Sequence, residues 1–428
     1  MRRRTASRPP TTDREGRRRG CAGEAVVQSF LEAFWAGDFD TAASLVAEEA
    51  VWHVDGDPGV PPTGLRHGRR RVRQWMDVFP GASEPRGGSV LTTVAQGEDA
   101  IVCGRFHFLV RPTGKVIQGD YVMRFTVRDG HIARYQMFED SLALANAFDV
   151  ASQPCRPYAQ RIRVNDTIYG YDDTGDGPTV MFLHGLFGDR TMFQHQVEAL
   201  HPQHRCVVPD MPGHGASAVT AQRWTLEDIA DDLALLIEEK NWGPLALVGH
   251  SQGGMVAMLL AARRPDLVNN VALLNTSARP EPEEPRELWL QRRTVLTDGS
   301  REAQQTMMRE VQGSVTSAQW RSNSPEPAAA ELRVMTSQDP LAMRRALDAA
   351  VLERSDMRHL LPAIQARTLV LAGADDRAMP PVLSEEIATL AEDAHLTVLS
   401  TVAHHAPVEA PEEVARCLQQ FLAEETAE

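Results

Sequence analysis

Five residues limit what this chain can fold into more than any others: Gly249-His250-Ser251-Gln252-Gly253. Their flanks carry the inference, because a G-x-S-x-G pattern alone arises often by chance. Leu245-Ala246-Leu247-Val248 is an apolar run of strand length, and Met255 to Ala262 is an apolar run of helical length. The pentapeptide therefore sits on a strand-to-helix turn. Glycine on both sides permits a tight backbone and lifts the serine hydroxyl into a cleft.

A serine hydroxyl is a weak nucleophile until a base takes its proton. On such a turn the acid and then the histidine are expected later in the chain. Gly373-Ala374-Asp375-Asp376 follows an expected strand, Thr368–Ala372. His404-His405 follows another, Leu396–Leu399. Both elements come in the required order, and the residues alone leave two choices of each open.

Around these motifs, residues 160–428 alternate short apolar strands with helices. The strands are Thr179–Leu183, Cys206–Pro209, Leu245–Gly249, Val268–Asn275, Thr368–Ala372 and Leu396–Leu399. Helices fit Leu226–Lys240, Gly253–Arg264, Ser384–Ala391 and Glu412–Glu424. Apolar strands alternating with helices imply a mostly parallel sheet covered on both faces. Residues 280–357 show helices and no strand, which suits a cap above the sheet. It holds Trp289, Leu296, Met307, Met308, Val311, Trp320 and Met335, which suggests an adaptable apolar pocket.

Residues 21–150 differ. Val27, Phe30, Leu31 and Phe34 recur at helical spacing over 24–36. Gly37 stops that helix, and Asp38 or Asp40 caps a second one expected to run to Ala50. A third helix fits His67–Phe79. Strands fit Val51–Val54, Ser89–Ala95, Ala100–Val110, Lys115–Val127 and His131–Phe138, with hairpin turns at Pro112-Thr113-Gly114 and Asp129-Gly130. This predicts an α+β domain with an antiparallel curved sheet. Residues 151–159 read as a linker, and residues 1–20 as a disordered basic arm.

Charge narrows the partners. The whole chain carries −14, and residues 1–20 hold eight Arg against Asp13 and Glu15, so the remainder is near −20. So acidic a body is a poor binder of nucleic acid. The five cysteines show no C-x-x-C spacing, which suggests reduced thiols in a cytoplasmic protein. No apolar run reaches membrane-spanning length.

The motifs of residues 160–425 resemble those of the α/β-hydrolase superfamily, in its branch of enol-lactonases, carboxylesterases and cofactor-free haloperoxidases. His184-Gly185-Leu186-Phe187-Gly188, Asp210-Met211-Pro212-Gly213-His214-Gly215, the serine turn and the two late motifs carry the resemblance. It implies Ser251 as nucleophile. It selects Asp376 through the frame Gly373, Asp376, Pro380, and His404 through its spacing to Glu409 and Pro411. It also implies an oxyanion hole from the backbone N–H groups of Leu186 and Gln252, and structural roles for His184 and His214. Ala403 departs from the glycine usual before the histidine.

Residues 24–148 resemble the SnoaL-like, or ketosteroid-isomerase-like, cone fold. Phe34-Trp35-Ala36-Gly37-Asp38, Val51-Trp52-His53, Arg128-Asp129-Gly130-His131-Ile132 and Phe138-Glu139-Asp140 carry that resemblance. Candidate pocket residues are His53, Asp55, Asp120, Arg134, Tyr135 and Glu139. Such cones commonly pair through an open sheet face, which makes a homodimer an expected assembly.

The expected function is hydrolysis of a carboxylic ester or lactone of a small apolar metabolite, with no metal or cofactor. Carbon–carbon bond hydrolysis, thioester hydrolysis and perhydrolysis suit the same motifs. A bifunctional polyketide-pathway enzyme, with the first domain as cyclase, isomerase or ligand-binding module, is a further alternative. The partners expected are a small-molecule substrate, with neither nucleic acid nor membrane.

Overall fold

The computed structural model describes residues 14–150, 160–219 and 223–423. The expected linker and residues 1–13 of the expected arm lie outside that set. The chain divides into two compact units, residues 1–153 and 154–428.

The first unit opens with α1 (Arg14–Ala36), which starts ten residues ahead of expectation. Residues 14–20 are thus helical rather than part of an arm. Four of those seven residues are arginines and one is a glutamate, both good helix formers, and they outweigh Gly16 and Gly20. Val27, Phe30, Leu31 and Phe34 are buried on one face, as their spacing requires. Next come α2 (Phe39–Ser44), β1 (Val46–Val54), β2 (Gly64–His67), α3 (Arg69–Ala82), β3 (Ser83–Gln96), β4 (Asp99–Val110), β5 (Val116–Arg128), β6 (His131–Glu139) and α4 (Ser141–Ala147).

Asp38 caps α2, its carboxylate accepting from Thr41 N–H at 3.1 Å. The helix then stops at Ser44, six residues short of the expected end. From Val46 the chain pairs with β6 instead, and this strand pairing overrides helical continuation. The strand order is β2-β1-β6-β5-β4-β3. All pairs are antiparallel except β1 with β6, which run parallel, so the sheet is mixed. It packs an aromatic core in which Trp52 stacks on Tyr135 at 4.0 Å between ring centres.

The second unit opens on a hairpin, β7 (Gln160–Val164) and β8 (Thr167–Thr174). The wound region follows: β9 (Thr179–Leu183), α5 (Gln194–Leu200), β10 (Arg205–Pro209), β11 (Ala218–Val219), α6 (Leu226–Lys240), β12 (Leu245–His250), α7 (Gln252–Arg263) and β13 (Val268–Leu274). Five cap helices come next: α8 (Glu283–Asp298), α9 (Arg301–Val315), α10 (Ala318–Asn323), α11 (Pro325–Ser337) and α12 (Pro340–Leu347). The chain closes with β14 (Arg367–Gly373), α13 (Pro381–Leu390), β15 (Ala394–Leu399), α14 (Ala406–Glu409) and α15 (Pro411–Ala423).

The strand order of this sheet is β15-β14-β13-β12-β9-β10-β8-β7. From β15 to β10 every pair is parallel; β8 and β7 join antiparallel at one edge. Its central strands are buried along their whole length, as parallel strands covered on both sides must be. The chain leaves β9 for β10 on one side and later returns to β12 on the other. The order reverses there, and in open α/β sheets such a point opens a crevice at the strands' carboxyl ends.

Candidate active site

Ser251 stands in that crevice, between β12 and α7. Its backbone has φ 51° and ψ −116°, a conformation that L-residues rarely adopt. The surroundings impose it. Ser251 N–H donates to Leu274 O at 2.9 Å, and the Thr276 hydroxyl donates to Ser251 O at 2.7 Å. The flanking glycines are required by space. A Cβ on Gly249 would lie 2.5 Å from Gly253 O, and one on Gly253 would lie 2.0 Å from Leu183 O.

His404 follows β15 and Asp376 follows β14. His404 Nε2 is 3.0 Å from Ser251 Oγ, and His404 Nδ1 is 2.8 Å from Asp376 Oδ2. The carboxylate can only accept, so Nδ1 carries the proton and Nε2 is left to accept from the serine hydroxyl. Asp376 Oδ1 accepts from Ala378 and Met379 N–H at 2.9 and 2.8 Å. Burial works against the Asp376 charge, but the His404 ring and these hydrogen bonds outweigh it and hold the carboxyl below its ordinary range. Asp375, next to it, is exposed.

Two residues to which the sequence assigns no role complete this arrangement. Asn275, directly after β13, donates from Nδ2 to Asp376 Oδ2 at 2.9 Å and to Ala403 O at 3.2 Å. His250 donates from Nε2 to His404 O at 2.8 Å. Burial pushes the His250 ring far down from its ordinary value and keeps it neutral. Nothing local marked either role, since both act across more than 100 residues of chain. Ala403 keeps an ordinary backbone, since its φ is not positive, so its Cβ is accommodated.

His405 turns away and pairs with Glu331 of α11. Burial disfavours the His405 imidazolium, but the Glu331 charge and hydrogen bond outweigh that and raise it above its ordinary value. Glu331 is correspondingly lowered, its burial outweighed by His405. The pair ties cap to sheet, together with Val315 O, which accepts from both His404 and His405 N–H at 3.0 and 3.2 Å. A raised histidine contributes stability below its unfolded value of 6.5, and this is lost as pH rises through the folded value. A lowered glutamate contributes above 4.5, and this is lost as pH falls through its folded value. Glu331→Gln should therefore cost most between those two values, by about 3 kcal/mol for a broken buried pair. Calorimetric melting from pH 4 to 9 checks this; a cost that is constant with pH would contradict it.

His184 and His214 hold the loop after β9. His184 Nε2 accepts from Met211 N–H at 2.8 Å, and His214 Nε2 accepts from Phe187 N–H at 3.2 Å. Burial lowers both rings, His214 to about 3. Leu186 and Gln252 lie beside Ser251 in the wall of a cavity of about 490 Å³. Gln252 is the first residue of α7, where backbone N–H groups have no intrahelical partner. Its side-chain amide is also buried with neither polar atom paired. The rings of His250, His404 and His405 bring nitrogens within 4.8 Å of one another. Their hydrogen bonds to His404 O, to Asp376 and Ser251, and to Glu331 already engage each ring.

The cap residues divide. Trp289 and Val311 line the Ser251 cavity, while Trp320 and Met335 line a separate one behind His405. Leu296 and Met308 are core packing. The cavity is not simply apolar: Arg279, Arg292, Arg354 and Arg377 also line it.

The first unit has its own apolar cavity, walled by Phe34, Trp75, Phe106, Phe108 and Tyr121. Of the six polar candidates only Tyr135 and Glu139 line it. His53 instead pairs with Asp55 at 3.2 Å, Asp120 pairs with Arg105 on the exposed surface at 3.0 Å, and Arg134 lies outside the lining. Alternation along β6 separates them: Tyr135 and Glu139 share one face, and Arg134 points to the other. Burial pushes the Glu139 carboxyl up to about 7. A carboxyl that ionises less readily folded than unfolded costs stability as pH rises from 4.5 through 7. Glu139→Gln should thus leave melting unchanged at pH 5 and stabilise the first unit at pH 8, by up to about 3 kcal/mol. Equal melting of both proteins at pH 8 would contradict it.

The fold and the site define a hydrolase built on a doubly wound sheet. Residues 178–411 match the family described as alpha/beta hydrolase fold, and residues 27–135 match the SnoaL-like domain. The chain belongs to the alpha/beta hydrolase fold family and carries a SnoaL-like domain ahead of it. It is 41% identical over 118 residues to the magnesium-chelatase 30 kDa subunit of Rhodobacter capsulatus, a match covering 27% of this chain and 42% of that protein. It is similar to a thermophilic esterase from Thermogutta terrifontis, with 31% identity, TM-score 0.58, and coverage of 62% of this chain and 99% of that one. It is also similar to the enol-lactonase from Burkholderia xenovorans LB400, with 26% identity, TM-score 0.57, and coverage of 62% and 100%. Among the described residues no helix is long and apolar enough to cross a membrane.

Proposed function

We propose that the second unit is a serine hydrolase that cleaves a carboxylic ester or lactone through an acyl-enzyme. The observation that carries this is the chain of contacts from Asp376 through His404 to Ser251, at 2.8 and 3.0 Å, opening onto a cavity. Similarity to an esterase and an enol-lactonase supports the same reading.

In this reading Ser251 Oγ attacks the acyl carbon while His404 Nε2 takes its proton. Asp376 holds the ring in the tautomer that permits this and stabilises the imidazolium. The oxyanion meets the backbone N–H groups of Leu186 and Gln252. Collapse expels the alcohol, which takes the proton from Nε2; in a lactone that alcohol stays attached to the acyl group. Water then attacks the acyl-enzyme, giving its proton to Nε2, and the serine leaves with it. Ser251→Ala should lower kcat by about 10⁴ or more on whichever of a panel of methyl esters, lactones and thioesters the protein cleaves. Turnover unchanged by that substitution would sink the proposal.

The first unit is read as a binding module for a flat apolar ligand, on the strength of its aromatic cavity with one carboxyl at Glu139. Exposed Val94, Ile101, Val122 and Phe138 lie on its sheet and support pairing of two copies.

A further inference from the structure

The second unit's cavity carries charge of the wrong sign for this protein. The whole chain is at −14, yet four arginines line the cavity against a single carboxylate, Glu281. Two of the four are matched. Arg279 forms a two-pronged pair with Glu386 at 2.7 and 2.8 Å, and Arg354 lies 3.5 Å from Glu281. Among the described residues Arg292 and Arg377 have no carboxylate within ion-pair distance, although the charge of Glu310 acts on Arg292 from farther off.

Arg292 and Arg354 are both built into the wall rather than spread on the surface. The Arg354 side chain is only 2% exposed. Its Nη1 touches Met255 Sδ at 3.1 Å and donates to Ala350 O at 3.0 Å. Met255 lies one turn of α7 beyond Ser251, about 5.4 Å along the axis. Arg292 lies against the Trp289 ring, its Cζ 4.5 Å from the ring centre. The Nε atoms of both are buried without a hydrogen-bond partner. A buried guanidinium donor left unpaired is costly, and burial accordingly pulls Arg354 down to about 10 and lowers Arg292. A carboxylate in the cavity would offset the net positive charge of this lining, and guanidinium and carboxylate match as two parallel hydrogen bonds.

We infer that this cavity takes esters or lactones whose acyl part bears a second, free carboxylate, held by Arg292 and Arg354 while Ser251 attacks the carbonyl. This rests on the serine-hydrolase reading for its chemistry, but the anion subsite stands on the cavity alone. It also explains the cap: Arg292 comes from α8 and Arg354 follows α12, so the selecting charge is supplied by the inserted segment, not by the sheet.

Two measurements on the full chain test it. The first compares kcat/KM for monomethyl adipate and methyl hexanoate, esters of similar length that differ by a terminal carboxylate. The acid should be preferred at least about tenfold, and Arg292→Gln should bring that ratio down by a similar factor, as loss of a charged hydrogen bond requires. The second measures adipate binding to Ser251→Ala protein by calorimetry, with and without Arg292→Gln, and again with Arg354→Gln where that variant melts normally. Binding that weakens about tenfold with Arg292→Gln supports the subsite even if neither ester is cleaved, in which case only the hydrolase reading fails. Cleavage of both esters without acid preference, and adipate binding indifferent to Arg292, would overturn the subsite and leave the hydrolase reading standing. Absence of both cleavage and binding overturns both.

Discussion

Asp376→Asn will lower kcat by about 10³ to 10⁴ without unfolding the protein. The geometry states why. Asp376 Oδ1 accepts from two backbone N–H groups, so an asparagine there must keep its oxygen on that side. Its NH₂ then faces His404 Nδ1, which can only answer as an acceptor. The ring proton moves to Nε2, and Nε2 can no longer accept from Ser251. His404→Ala removes the base itself and should cost as much or more. Asp375→Asn, on the exposed neighbour, should stay within about threefold of the parent, as surface substitutions do. Pre-steady-state and steady-state rates on one ester separate these outcomes. A larger loss at Asp375 than at Asp376 would mean that the acid was misassigned.

Gly253→Ala will cost more than its single methyl suggests. The new Cβ would sit 2.0 Å from Leu183 O, and the nearest atoms are backbone of β9. Backbone in the central strand cannot yield as a flexible side chain does, so the turn must move. Overpacking of a rigid core costs about 1–3 kcal/mol, and this contact belongs at or above the upper end. Displacing the turn also displaces Ser251 Oγ from His404, so activity should fall together with stability. Urea unfolding alongside ester turnover measures both; a variant with parental midpoint and rate would show that the turn is looser than its φ and contacts imply.

Local pattern and distant contact were not equally legible in the sequence. Strand Thr179–Leu183 and helix Leu226–Lys240 have the ends expected from their apolar runs, because parallel strands and capped helices announce themselves within a few residues. Ser251, Asp376 and His404 were selected by motif frame, and the fold brings them into contact. The helix expected to reach Ala50 was misread because Phe39–Ser44 passes directly into a strand, with no glycine or proline at the change. Asn275, His250 and Glu331 gave no signal. Each works through a partner 74 or more residues away, and nothing local distinguishes a polar residue with a distant partner from one in solvent. The same holds for the arginines of the cap. In the sequence Arg292 and Arg354 are ordinary charges of a helical segment; only folding brings both to the wall of the cavity that Ser251 opens onto.

Chemical labelling of Ser251 tests the central claim most directly. The full chain should be treated with a fluorophosphonate and digested, and the adduct located by mass spectrometry. Only a serine whose proton is accepted by a neighbouring base reacts fast with such a probe. The adduct is predicted on Ser251 alone, at one per chain, and absent from His404→Ala and Ser251→Ala proteins. A folded protein that takes up no label at Ser251, or that labels equally without His404, would contradict the account.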